Sequence, residues 1–174
     1  MQTNKSNEGF SLIELLLVVA IIGIISAIAV PNLLSSKRAA NEASALAGLR
    51  VILSAQATYQ STTGGGDYGD LTTLRDQNLL DQTVAGATIA GPGTAKTGYL
   101  YSAASISGAG APAFDAKAQP LSHTSDSLLF ATGSRSFFVN EAGVVYFNTT
   151  GTAPTCTATA ARSVTAGSGG GVLN

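Results

Sequence analysis

Glu14 is the only charged side chain between Phe10 and Leu34. From Leu15 to Val30 nothing is more polar than Ser26. An unpaired charge in an apolar, membrane-like interior costs ~3 kcal/mol or more. Such a carboxylate persists where a cation meets it. Gly9 and Phe10 lie just upstream. Hydrolysis of the bond between them would create an α-amine four residues before Glu14. In a packed assembly, that ammonium and this carboxylate can neutralise one another between neighbouring subunits.

Other residues carry reactive groups without a reactive pattern. His123 is the single histidine, in Ser122-His123-Thr124-Ser125-Asp126. A serine-histidine-aspartate triad needs convergence from separate elements, so His123 is expected on a surface loop. Gly91-Pro92-Gly93-Thr94-Ala95-Lys96-Thr97 has the outline of a phosphate-binding loop. Ala95 stands where the glycine before the lysine is required, so the cradle fails. Asp67, Asp70, Asp76 and Asp81 are spread through a loop and a short helix. A calcium site needs about six converging oxygens, and Glu141 is the one acidic residue in 127–174. These carboxylates are expected to be solvated surface charge. Asn148-Thr149-Thr150 matches a glycosylation sequon, a short pattern that arises by chance. Cys156 is the lone cysteine, so no intrachain disulfide exists. It reads as a small apolar side chain, with interchain pairing the second reading. The sequence names no catalytic residue, no metal ligands and no cofactor; the expectation is a non-enzyme. With 9 Lys+Arg against 10 Asp+Glu, the net charge of −1 gives no bulk nucleic-acid surface.

The apolar run must be held by an element of matching length. About 20 apolar residues cross a bilayer as a helix, and Phe10 to Leu34 exceeds that. Three readings compete. One is a plain transmembrane anchor. Another is a secretory signal, because Ala27-Ile28-Ala29 fits an A-x-A cleavage site. Against that stand Glu14, a nearly neutral leader and a helical pattern that continues past Ala29. The last is a helix cut after Gly9, in which Glu14 has a purpose.

The string Gly9-Phe10-Ser11-Leu12-Ile13-Glu14-Leu15-Leu16 resembles the class III signal sequence of type IV pilins and pseudopilins. That pattern is a short polar leader, a glycine, a phenylalanine, a glutamate at the fifth position after the cut, then an apolar helix. All are present, over roughly residues 5–60, and Pro31 falls where the family's helix commonly carries a proline. The resemblance implies cleavage after Gly9 by a prepilin peptidase, N-methylation of Phe10, and assembly through Glu14. Pro31 reads either as a tolerated membrane-helix kink or, by the resemblance, as a segment that bends or melts on packing.

Beyond Pro31 the pattern turns amphipathic. Leu46, Leu49, Ile52 with Leu53, Gln56 and Tyr59 form a stripe at helical spacing. Glu42, Arg50, Ser54 and Gln60 are expected on the opposite face. Gly64-Gly65-Gly66 should end the helix. Phe10 to Thr63 would be a rod of about 80 Å, too long for a domain of this size to bury. Asp70 is expected to cap a short helix from Leu71 to about Leu80. Residues 85–98 and 107–125 read as loops, and Tyr99-Leu100-Tyr101 as a short strand. Ser127–Thr132, Arg135–Asn140 and Val144–Asn148 read as strands, the last two joined by the turn Asn140-Glu141-Ala142-Gly143. Phe130, Phe138, Val145 and Phe147 are expected in or near the core. The tail from Thr149 reads as a flexible end or an extra edge segment.

The expected fold is therefore α+β: a long N-terminal helix packed through its second half on a small antiparallel sheet, as in pilins. Arg135 to Val144 is also similar to the final hairpin of some pilin-like proteins. The expected organisation is a leader at 1–9, an apolar helix at 10–34, its amphipathic continuation at 35–63 and a head at 64–174. The resemblance implies a structural subunit that polymerises with itself. Its other partners would be the prepilin peptidase and the pilus assembly machinery of the inner membrane. The location implied is the inner membrane before assembly and an extracellular filament after it. The major pseudopilin of a type II secretion system is the alternative within the family; the acidic, calcium-binding C-terminal loop it implies is not seen. A membrane-anchored binding module that never polymerises is the alternative from another class.

Overall fold

The computed structural model describes residues 10–89, 94–106, 111–126, 129–157, 163–165 and 169–173. Helix α1 runs Leu12–Ser61, close to the expected Phe10–Thr63. The chain divides inside this helix into two units, Met1–Ser36 and Lys37–Asn174.

In the first unit every residue from Phe10 to Leu33 is exposed. Pro31 lies within the helical run. Ser36 returns its hydroxyl to the Asn32 carbonyl at 3.0 Å.

In the second unit α1 buries Glu42, Ala45, Gly48, Leu49, Ile52, Ala55 and Gln56. The stripe is real but its centre lies on small residues rather than on Leu46 and Tyr59. Leu46, Leu53 and Tyr59 are half-buried at its margins. Leu49, Ile52 and Gln56 are buried as expected, and Gly48 beside them makes room for the Tyr101 ring. A Cβ on Gly48 would come 2.6 Å from the Tyr101 hydroxyl oxygen, so any side chain there would displace the ring. Arg50 and Ser54 are exposed as expected, and Gln60 is half-buried. Glu42 is not on the open face: it is 4% exposed. The helix stops where Gly64 and Gly66 donate to the carbonyls of Tyr59 and Gln60. Gly65 and Gly66 hold φ of 59° and 102°, the left-handed region that glycine enters at least cost.

Asp70 caps α2 (Leu71–Asp76), accepting from the Thr73 amide at 2.7 Å. The helix ends four residues short of the expected Leu80, and a second short helix, α3 (Gln82–Ala85), follows. Buried Gln56 grips the loop before α2, donating to the Gly69 carbonyl and accepting from its amide.

The strands are β1 (Tyr99–Ile106), β2 (Ala113–Pro120), β3 (Ser136–Asn140), β4 (Val145–Asn148), β5 (Thr155–Cys156), β6 (Val164–Thr165) and β7 (Gly171–Leu173). An antiparallel five-stranded sheet has the order β1-β2-β3-β4-β7, and β5 pairs with β6 separately. Tyr101, Ala118, Phe137 and Phe147 stand in register across four strands. That face joins Leu49, Ile52 and Leu74 in one core.

Three expectations fail here. Residues 107–125 are not all loop, because β2 occupies 113–120. Phe114, Ala116 and Ala118 face the core while Asp115, Lys117 and Gln119 on the other face are half-exposed. Alanine has weak strand propensity, which hides an otherwise regular alternation. Ser127–Thr132 is not a strand over its described part: 129–130 form a turn. Thr132 closes this segment as a loop, its amide donating to the Ser122 carbonyl at 2.8 Å and its hydroxyl accepting from the Ser122 amide at 3.1 Å. Phe130 is consequently 79% exposed rather than core.

All five residues of β3 are buried, so both faces of the strand are covered. Phe137 belongs to the core shared with α1, while Phe138, on the other face, pairs with Tyr146 across the sheet. On that outer side Cys156 Sγ lies 4.0 Å from Asn140 Nδ2, and Pro154 is fully buried. The tail therefore contributes packing, and its end, β7, is the extra edge segment.

Candidate assembly site

Among its described residues the first unit contributes one charged side chain, Glu14. Its best helical window has a mean hydropathy of 2.9 with none of it buried, long and apolar enough to cross a membrane. Phe10, Leu12 and Ile13 are 72%, 79% and 73% exposed. Glu14 sits in the first turn of α1, where a carboxylate complements the helix dipole. Its amide and that of Leu15 both donate to the Ser11 carbonyl at 3.1 and 3.2 Å. Phe10 precedes Glu14 by about one turn, ~6 Å of rise. Among the described residues no ion pair reaches Glu14. Gly9 and the leader lie outside the described residues. Pro31 lies on the same helix, farther along it.

The second unit holds a different carboxylate. Glu42 Oε1 accepts from the Ser134 amide at 2.9 Å and its hydroxyl at 2.6 Å. Glu42 Oε2 accepts from Arg135 at 2.8 and 2.7 Å. Burial alone would raise the Glu42 pKa; the hydrogen bonds from Ser134 and Arg135, with the guanidinium charge, outweigh it and leave the pKa lowered. Arg135 also lies 5.9 and 5.8 Å from the Phe137 and Phe147 ring centres. Tyr99 donates to the Arg135 carbonyl at 2.7 Å, and burial pushes its phenol well above the usual range. Burial also raises the Tyr101 phenol, to about 12. Asn41 donates to the Thr132 carbonyl at 2.8 Å. Together these bonds tie the loop before β3 to α1.

His123 belongs to this clasp. It is 6% exposed, not a surface-loop histidine. Its Nδ1 accepts from the Ser125 amide at 3.1 Å, and its Nε2 is 2.9 Å from the Ser134 carbonyl. Nε2 must carry the proton to donate there. Ser125 Oγ meets both His123 Nδ1 and Asp126. Aspartate thus bonds the serine rather than orienting the histidine, the wrong order for a triad. The remaining candidates have local duties. Asp70 caps α2, Asp76 pairs with Arg75 at 2.7 Å, and Asp81 accepts from Thr83. Asn148 is 5% exposed and accepts from the Thr150 amide and hydroxyl at 2.9 and 2.8 Å. Gly91, Pro92 and Gly93 lie outside the described residues. Glu42, Ser134 and His123 were missed as structural groups. The signal for Glu42 was present: positions 42, 45, 49, 52 and 56 share one helical face.

Residues 4–30 match the family model described as the prokaryotic N-terminal methylation motif. In this N-terminal segment the chain is similar to type IV pilins. It is 43% identical over 58 residues to the type IV major pilin protein PilA of Myxococcus xanthus, covering 33% of this chain and 26% of that protein. It is 43% identical over 56 residues to the type IV wide pilus major component PilA4 of Thermus thermophilus, covering 32% of this chain and 43% of that protein. The alignments thus span less than half of each relative. No solved structure matches the chain significantly.

Proposed function

We propose that the chain is a structural subunit of a type IV pilus, not an enzyme. It is made as a precursor with a leader at 1–9, cut between Gly9 and Phe10, and polymerised through the apolar helix at 10–34. The amphipathic half at 35–63 carries the head at 64–174. Before assembly the apolar half holds the precursor in the inner membrane as a single span; afterwards it forms the filament core. The processing partner is a prepilin peptidase, and inner-membrane assembly machinery loads the subunit.

One observation carries this reading: an apolar helical run that the chain leaves wholly exposed, broken by a single carboxylate in its first turn. Exposed apolar surface on this scale needs a lipid or protein cover. The carboxylate needs a cation once covered. The new amine of a neighbouring subunit supplies that cation and sets the axial register. Pro31 then marks where α1 can lose a hydrogen bond and bend as subunits pack.

Glu14→Gln tests the pairing, because it keeps shape and removes charge. The variant should be cut to a Phe10 N-terminus, remain in the membrane and keep a folded head, while sheared filaments are largely lost in electron micrographs. Wild-type levels of filament from Glu14→Gln would refute the pairing. Uncut precursor would instead assign Glu14 to peptidase recognition. An N-terminus at Val30 would establish a secretory signal and remove the helix from the mature protein.

A further inference from the structure

The head carries an apolar knob and an apolar groove. The knob is the tip of the loop between β2 and β3, where Leu129 and Phe130 are 65% and 79% exposed. Asp126, exposed, lies beside them in sequence. The groove has a volume of about 470 Å³ and runs between α1 and the turn joining β3 to β4. Leu49, Leu53, Val144, Val172 and Leu173 line it, and Arg50 stands at its rim. The knob offers an aromatic, an aliphatic and a negative charge; the groove offers an apolar trough with a positive charge.

The two do not meet within one chain: neither Leu129 nor Phe130 lines the groove. The knob's loop enters β3 at Ser136, and the groove lies where β3 leaves at Asn140. Those ends are about 13 Å apart along the strand. On α1 the loop is tied at Asn41 and Glu42, and the groove begins at Leu49, about two turns further on. The polar clasp of Glu42, Ser134, Arg135 and His123 fixes the base of the loop, so the knob is presented by a rigid support.

We propose that the Leu129-Phe130 knob of one copy seats in the Leu49–Leu53/Val144 groove of a second copy, with Asp126 facing Arg50. The contact joins different surfaces at opposite ends of the same strand. Such a heterologous contact builds an open chain of subunits rather than a closed dimer. It rests on the filament reading and adds a head-to-head joint to the helix packing.

Cross-linking in the full-length chain tests it. With Cys156→Ser as background, Phe130→Cys and Val144→Cys are combined, and surface filaments are oxidised. A ladder of disulfide-linked multimers is expected from the pair, and no species above a dimer from either cysteine alone. Arg50→Asp and Asp126→Arg should each cut sheared filament about tenfold, equivalent to ~1.4 kcal/mol per contact, and the double reversal should restore it. Filaments that form without a ladder overturn this contact and leave the filament reading standing. Absence of filaments from the unsubstituted chain overturns both. Apart from half-buried Cys156, the altered side chains are exposed or line the groove, and an unchanged head melting temperature in each variant confirms that folding is not what was lost.

Discussion

Helix α1 carries two acidic residues in opposite circumstances. Glu14 is exposed in an apolar run, with no ion pair among the described residues. Glu42 is buried and receives three hydrogen bonds and a guanidinium ion-pair contact from two residues of the loop before β3. The same side chain on the same helix thus serves two purposes. Glu42 is satisfied inside the fold and stabilises it. Glu14 is left over by the fold, and a group the fold leaves over in such surroundings points outward, to another molecule. The comparison teaches that burial marks the structural carboxylate, Glu42, and that the assembly role proposed for Glu14 rests on its being the unsatisfied one.

Substitution of both glutamates breaks or sharpens that contrast. Glu42→Ala strands the Ser134 amide and the Arg135 guanidinium. Removing one partner of a buried pair costs ~3–5 kcal/mol. Arg135 keeps 38% of its side chain in solvent and can rehydrate, so about 2–3 kcal/mol is expected here. The head should melt about 10 °C lower by calorimetry. Glu14→Ala should leave that transition in place. Equal losses from the two variants would erase the distinction. Acid gives the same result by titration. The Glu42 pKa is depressed in the folded state, so its contribution is complete above the ordinary glutamate range. It is lost as pH falls through that range toward the folded value. Glu42→Gln should flatten that part of the stability curve.

Asp70 gives a smaller effect and extends the comparison to a carboxylate whose role was legible. The hydrogen bond from the Thr73 amide is the main reason its pKa is lowered, as for an N-cap. Asp70→Ala should cost about 1 kcal/mol in denaturant unfolding. Asp70→Asn should recover most of it, because an amide oxygen also accepts from Thr73. A cost equal to that of Glu42→Ala would mean that exposure does not grade these residues.

The legible parts of the molecule are those where one local rule suffices. The apolar run of α1, the Asp70 cap and the β3–β4 hairpin each follow from spacing within a few residues. What failed needs information from far along the chain. Glu42 reads as surface because charge is usually solvated; its partners are 92 and 93 positions away. His123 reads as loop surface for the same reason, though it is packed under Gly151 and bonded to Ser134. Strand β2 is disguised by alanine, and Leu129-Phe130 imitate a strand while standing on a loop tip. The roles proposed for Gly9, Phe10, Glu14 and Pro31 rest on what surrounds them in sequence.

The smallest expected effect is none, and it separates the two family readings. A calcium-dependent head would hold its ion by converging carboxylates, about six oxygens in all. Here Asp70 is committed to the α2 cap, Asp76 to Arg75 and Asp81 to Thr83. Among the described residues no three acidic, histidine or cysteine side chains converge on one point. Binding of an ion to the folded state alone would stabilise it by mass action, about 2.7 kcal/mol at a hundredfold excess over Kd. Stripping calcium with a chelator would then lower the melting temperature by about 10 °C. The full-length protein should instead melt at the same temperature with calcium and with chelator. A large drop on chelation would transfer the head to the secretion-system type, even with the Glu14 mechanism intact. An unchanged melting temperature, with Glu42→Ala still destabilising, would assign to the Glu42–Ser134–Arg135 clasp the structural duty that an ion performs elsewhere.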